Sequence, residues 1–217
     1  MALTTTSAAA AADGGPAAAP RARRLGAVHV AIGPGAALCD RKKPVDECPV
    51  DGGIAVGLGG GYRLSPRWEL GGEIAVWSLA VRESWKRKLD PPAEDTEFST
   101  FYLAPHARYW FLAEGDFDPY VQLGFGLGAV SGRAENTSGG RFEVENTGFV
   151  YPVAAGLDWY ASDDVRLGLQ GLIYVHATQT HCERENDGAE TCSRGTPEHH
   201  AVPWRVVLMG SWVFGER

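Results

Sequence analysis

The chain has no run of about 18 apolar residues, so no segment can cross a bilayer as a helix. It has no basic patch, and the formal net charge of −7 argues against a nucleic-acid partner. Lysine is sparse, strong helix formers are few, and cysteine is limited to four residues. Charged residues make up 22% of the chain, which excludes an acidic disordered polypeptide. What is present instead is glycine, at 28 residues, together with seven tryptophans, and this mixture points to β-structure. The missing apolar run does not exclude a membrane protein built from strands. Such strands need only about 9–11 residues, of which every second one is apolar.

The length of 217 residues suits one domain. Residues 1–24 are Ala-rich and carry Pro16, Pro20, Arg21, Arg23 and Arg24. They lack the basic, apolar and small-residue order of a secretory signal, so the signal is expected upstream of this start. Residues 1–24 are expected to be a disordered tail, and residues 25–217 one barrel domain.

Eight segments alternate between apolar and small or polar residues. They are Leu25–Ile32, Gly53–Leu64, Trp68–Val81, Phe98–Leu112, Tyr120–Ser131, Gly148–Ala161, Val165–Ala177 and Val202–Phe214. The connections Ser65–Arg67, Ala113–Pro119 and Ser162–Asp164 are short and rich in turn residues. The connections Gly33–Gly52, Arg82–Glu97, Gly132–Thr147 and Thr178–Ala201 are long. Short and long alternate, which puts tight turns on one rim of an antiparallel barrel and long loops on the other.

Side chains along a strand have period two, so the two faces separate. In the fifth segment one face reads Val121, Leu123, Phe125, Leu127, and the other Gln122, Gly124, Gly126, Gly128. In the last, Trp204, Val206, Leu208, Trp212 and Phe214 oppose Arg205, Val207, Met209 and Ser211. The greasy face is too extensive to sit in water, and the glycine-rich face has too little volume to fill a ligand-binding core. Lipid outside and a narrow lumen inside satisfy both faces. The expected fold is therefore all-β: an eight-stranded antiparallel up-and-down transmembrane β-barrel. A soluble lipocalin-like barrel is the alternative, and it requires the large apolar residues to point inward.

The lumen face carries Glu69, Glu73, His106, Arg108, Arg166, Gln170 and Arg205. Buried charges need partners, and Glu73 with Arg108 is the pair first expected, with the interior filled by side chains rather than open. Tyr62, Trp68, Phe111, Tyr120, Trp159, Tyr160, Trp212 and Phe214 crowd the short-turn rim, where an interfacial aromatic girdle belongs.

With these features the chain resembles the small outer-membrane β-barrel proteins, similar to the OmpA transmembrane domain and to OmpW-like barrels. The segments that carry the resemblance are Gly57–Glu73 and Trp204–Phe214. It implies an outer-membrane location, a lipid-bilayer partner, delivery by the barrel-assembly machinery and a monomer, but no single activity. Phe214 is followed by Gly215, Glu216 and Arg217, which departs from a terminal aromatic assembly signal.

Cys39 with Cys48, and Cys182 with Cys192, form two local pairs in expected external loops and read as disulfides. A zinc reading would draw on His181, Cys182, Cys192, His199 and His200, but the spacing matches no known finger. His176 and Thr178 resemble, in part, the His-x-Ser arrangement of outer-membrane lipid A deacylases. Thr replaces Ser, however, and the parity of His176 points to the lumen. No cofactor and no enzymatic site are expected. The expected role is structural or surface interaction, with a narrow channel for small or apolar solutes, a lipid-modifying enzyme, and a soluble ligand-binding barrel as alternatives.

Overall fold

The computed structural model describes residues 25–39, 50–87, 93–112, 116–186, 188–194 and 201–215. The strands are β1 (Gly26–Cys39), β2 (Val50–Arg63), β3 (Trp68–Val81), β4 (Asp95–Trp110), β5 (Phe117–Gly124), β6 (Gly126–Glu135), β7 (Arg141–Tyr160), β8 (Val165–Glu185), β9 (Thr191–Arg194) and β10 (Ala201–Phe214). One helical turn, α1 (Glu83–Lys86), follows β3. All pairings are antiparallel, and β1 pairs with both β2 and β10, which closes the ring.

β5 and β6 are one barrel strand with a break at Phe125. The register confirms this: His106↔Gly124 and Leu103↔Leu127 keep the same sum across the break, as do Leu123↔Val153 and Gly126↔Val150. Pro105 stands opposite Phe125, and Pro152 opposite Gly124. Phe125 N–H still donates to the Pro105 carbonyl at 3.1 Å, but neither proline has an N–H to return a bond, so the ladder thins there without a slip. With β9 as a short flap on β8, the ring counts eight strands.

Two of the tight turns are each bracketed by a serine. Ser65 Oγ accepts from the N–H groups of Arg67 (3.3 Å) and Trp68 (3.1 Å). Ser162 Oγ accepts from those of Asp164 (3.3 Å) and Val165 (3.1 Å). These are side-chain turns of the kind such residues favour.

The faces fall as period two requires. Leu58, Leu103, Leu123, Leu127, Leu169 and Leu208 are outward and exposed, Leu208 by 67%, whereas Ala31, Trp77, Tyr102 and Leu172 are buried. The large apolar residues thus form the outside, which removes the lipocalin-like alternative. The expected girdle holds for Tyr62, Trp68, Phe111, Trp159, Trp212 and Phe214, all outward and exposed. It fails for Tyr120, which is buried in the lumen, and for Tyr160, whose hydroxyl accepts from Arg63 Nη2 at 2.8 Å. Both residues lie on inward parity, and an even-numbered offset from Gln122 and Asp158 would have placed them correctly.

Two expected long loops are largely strand. The third connection shrinks to a turn at residues 136–140, where Asn136 Oδ1 accepts from Gly140 N at 2.7 Å and Gly139 adopts φ +82°. The fourth contains the end of β8 and the β9 flap, closed by Cys182–Cys192 across directly paired residues. In this outer region the pattern inverts. Phe98, Val144 and Phe142 turn inward and pack on the core, while Ser131, Arg133, Glu143 and Glu145 face out. A sheet that has left lipid for water must put its polar face outside. The expected Cys39–Cys48 pairing involves a side chain and a residue outside the described set, and the tail at 1–24 also lies outside the described residues.

Glycine makes the lumen wide enough for its contents. A Cβ at Gly57 would lie 2.6 Å from Glu73 Oε1, and one at Gly128 would overlap the Tyr174 hydroxyl. Gly171, on the lipid face, has nothing within 4 Å. Gly128→Ala should therefore lower stability by about 1–3 kcal/mol through overpacking. Gly171→Ala should stay within about 0.5 kcal/mol. Urea unfolding in detergent, read by the mobility shift of unboiled samples on SDS gels, separates the two.

Candidate functional site

Two regions carry chemistry: the filled lumen and the outward face of the sheet beyond the membrane.

In the lumen, four carboxylates (Glu69, Glu73, Asp118, Asp158) meet four guanidinium groups (Arg63, Arg108, Arg166, Arg205), all buried. Residues of β3 and β4 set the lower half. Glu69 stands directly opposite Arg108 in the ladder, and its carboxylate lies 3.3 Å from Arg108, 3.7 Å from Arg166 and 3.8 Å from Arg63. Arg166 also holds Asp158 at 2.8 Å, and Arg63 holds Asp118 at 3.4 Å. Glu73 is opposite Ala104, not Arg108, and it pairs instead with Arg205 from the far wall. The expected Glu73–Arg108 pair is thus replaced by Glu69–Arg108 and Glu73–Arg205, because the register is four residues from the one that pairing would need.

Gln122 and Gln170 join the halves. Arg108 donates to Gln122 Oε1 at 2.8 Å, Gln170 Nε2 donates to the same oxygen at 3.4 Å, and Arg205 donates to Gln170 Oε1 at 3.4 Å. Aromatic rings fill the rest. Arg63 lies 4.2 Å over Trp110, and Arg108 lies 4.3 Å over Tyr120. Trp77, Tyr102 and Tyr174 form a three-ring plug with centroids 5.0–5.4 Å apart, and Arg205 lies 5.3 Å over Trp77. Guanidinium groups on aromatic faces gain attraction while staying desolvated, which is how this many arginines fit a narrow space.

The structure thus brings Glu69, Glu73, Arg108, Arg166 and Arg205 together. Sequence reasoning missed Arg63, Asp118, Asp158, Gln122, Trp110 and Tyr120 as members of the network. Strict parity carried the signal: each lies an even number of residues from an inward neighbour on its own strand.

His176 stacks on Tyr174 (6.3 Å, 7° between planes), and its Nε2 lies 3.4 Å from the Gly128 carbonyl oxygen. The Thr178 side chain is outside the described set. His181 contacts Asn146 at 2.6 Å and Glu183 at 2.9 Å, while Cys182 and Cys192 are consumed by their disulfide, so this cluster is not a thiolate metal site. His199 and His200 lie outside the described residues.

On the outward face beyond the membrane, one row of the ladder runs Glu97↔Arg133↔Glu143↔Arg184 across β4, β6, β7 and β8, with Glu190 3.6 Å from Arg184. Opposite charges thus alternate over neighbouring strands, which supports a sheet with no lipid around it. Glu143 is shared by Arg141 and Arg184. The Arg141 hydrogen bond, with the charges of Arg141, Arg184 and Arg133, holds the Glu143 carboxyl below its ordinary range.

Breaking the deepest pair should be costly. Arg205→Ala leaves Glu73 buried without its cation, a loss of about 3–5 kcal/mol, whereas the double change Glu73→Gln with Arg205→Met should cost less than either single change. Urea midpoints in detergent test this. For Glu143 the folded value is the lower one, so its support is complete above the ordinary carboxylate range and fades as pH falls through the lowered value. Amide exchange in the β6–β7 hairpin should accelerate only in strongly acidic buffer, and Glu143→Gln should remove that dependence.

The comparisons with known proteins agree with this architecture. Neisserial surface protein A (NspA) superposes with a TM-score of 0.57 at 13% identity, covering 87% of this chain and 97% of that one. OprG of Pseudomonas aeruginosa gives 0.58 at 12% identity, covering 91% and 100%. Ail of Yersinia pestis gives 0.52 at 10% identity, covering 87% and 99%. At these identities the likeness is one of fold. No curated protein matches the sequence. Residues 1–188 match the family described as the outer membrane protein beta-barrel domain, and the chain belongs to that family.

Proposed function

We propose that this outer-membrane barrel is a non-conducting, non-enzymatic monomer, inserted by the barrel-assembly machinery, that works through its outward surface. The observation that carries the reading is the continuous chain of buried groups from Asp118 and Arg63, through Glu69, Arg108, Gln122 and Gln170, to Arg205 and Glu73. The ring plug of Trp77, Tyr102 and Tyr174 supports the same reading. An ion crossing this interior would have to part several buried pairs, each costly to separate. The second support is the investment in ordered sheet beyond the membrane: β7 and β8 run to 20 and 21 residues, against 14 for β1.

Reconstitution into planar bilayers tests the reading. The native protein should produce no discrete conductance steps. Stable unitary currents from the native chain would overturn the proposal and favour a narrow channel.

A further inference from the structure

We propose that His29 and His106 form an acid-operated latch on the lumen network, in which a protonated imidazole draws Glu73 away from Arg205 and so loosens the three-ring plug. The inference concerns packing inside the lumen and not conduction, so currents in planar bilayers would leave it standing.

Position is the first argument. His29 on β1 and His106 on β4 are both buried, and β2 and β3 lie between them in the ring. Those two strands present glycine here: His29 stands opposite Gly59, and His106 opposite Gly71. A Cβ at Gly59 would lie 2.6 Å from His29 Nε2, and one at Gly71 would lie 2.8 Å from His106 Nε2. Both rings therefore lean over one glycine floor from its two sides. Glu73 rises from the same floor, as the ladder partner of Gly59 and two residues on from Gly71.

Hydrogen bonding is the second. Among the described residues His29 Nε2, both ring nitrogens of His106 and Glu73 Oε2 have no hydrogen-bond partner. The charged groups acting on His29 are Arg108, Glu73 and Arg166, and those acting on His106 are Arg108, Glu73 and Glu69. Arg166 brings Asp158 with it, at 2.8 Å. The neighbouring strands otherwise face the rings with groups that do not titrate in acid: Gly57, Gly59 and Gly61 of β2, Gly124 of β5, Ser211 of β10, and the phenol of Tyr102 on β4.

Charge decides what a proton does here. The four carboxylates and four guanidinium groups already balance, so a proton on either imidazole is an excess positive charge in a desolvated space. Arg108 and Arg166 repel it, and Glu69 is shared among three arginines. Among the described residues Glu73 has Arg205 alone as its cation and one oxygen to spare, so it is the carboxylate that can turn. Arg205 then loses its counter-charge. It lies 5.3 Å over Trp77 and donates to the Tyr102 hydroxyl at 3.1 Å, which carries the change into the plug. Imidazole is the side chain that changes charge in mild acid.

The test uses the full chain refolded in micelles. NMR follows the ring signals of His29 and His106 and the indole N–H signal of Trp77 from neutral buffer to about pH 4, below the ordinary histidine range of about 6.5. The Trp77 signal should shift in step with at least one of the two histidines, and the urea midpoint should fall over the same interval. In the variant His29→Gln with His106→Gln both responses should vanish. His181→Gln, in the outer sheet, should leave the Trp77 response as it is in the native chain. A Trp77 signal indifferent to pH, or a double variant that responds like the native chain, would overturn the latch. Gel mobility verifies that each variant is folded, and if the double variant does not fold, the joint titration of Trp77 and the histidines in the native chain decides alone.

Discussion

A backbone in hydrocarbon cannot leave its N–H and C=O groups unpaired, and the pairing of β1 with β10 is how this chain meets that demand. The rest depends on that closure. Once the sheet has no edge in the membrane, every spanning strand has one face in lipid and one in the lumen. The sequence must then alternate, and the inner residues must fill a space of fixed bore. Leu and Val outside, and Gly and Ala inside, follow from a single geometric requirement.

The lumen solves a second problem within that bore. Four acids and four arginines balance, but pairing alone would not justify burying them. Aromatic faces beneath Arg63, Arg108 and Arg205 supply further partners, and glycines on the facing strands supply room. The arrangement is cooperative. Glu69 is shared among three arginines, so no member can be assigned an energy independent of its neighbours.

Most of the spanning region was legible because period two is unambiguous where one face meets lipid. Leu123, Leu127 and Leu208 declared the outside, and Glu69, Arg108 and Arg205 the inside. Two things were not legible. The particular ion pairs depend on register, and a four-residue offset separates Glu69 from Glu73 as the partner of Arg108. The outer sheet was hidden because its alternation reverses: Phe142 and Val144 turn inward while Glu143 and Arg133 turn out, so the outward apolar signal ends at the lipid boundary. The aromatic rim misplaced Tyr120 and Tyr160 because composition was allowed to outweigh parity.

The unequal strand lengths break the rotational symmetry that an eight-stranded ring otherwise has. β6 to β9 carry a stiff, disulfide-clipped wall above the membrane, whereas the described parts of β1, β2 and β3 end sooner. Seen from outside the cell, the protein has a front and a back. A neighbour drifting in the same membrane meets a polar rampart on the flank of β6 to β9. Neighbours in the membrane will therefore approach from a preferred side, and crowding becomes directional at this molecule.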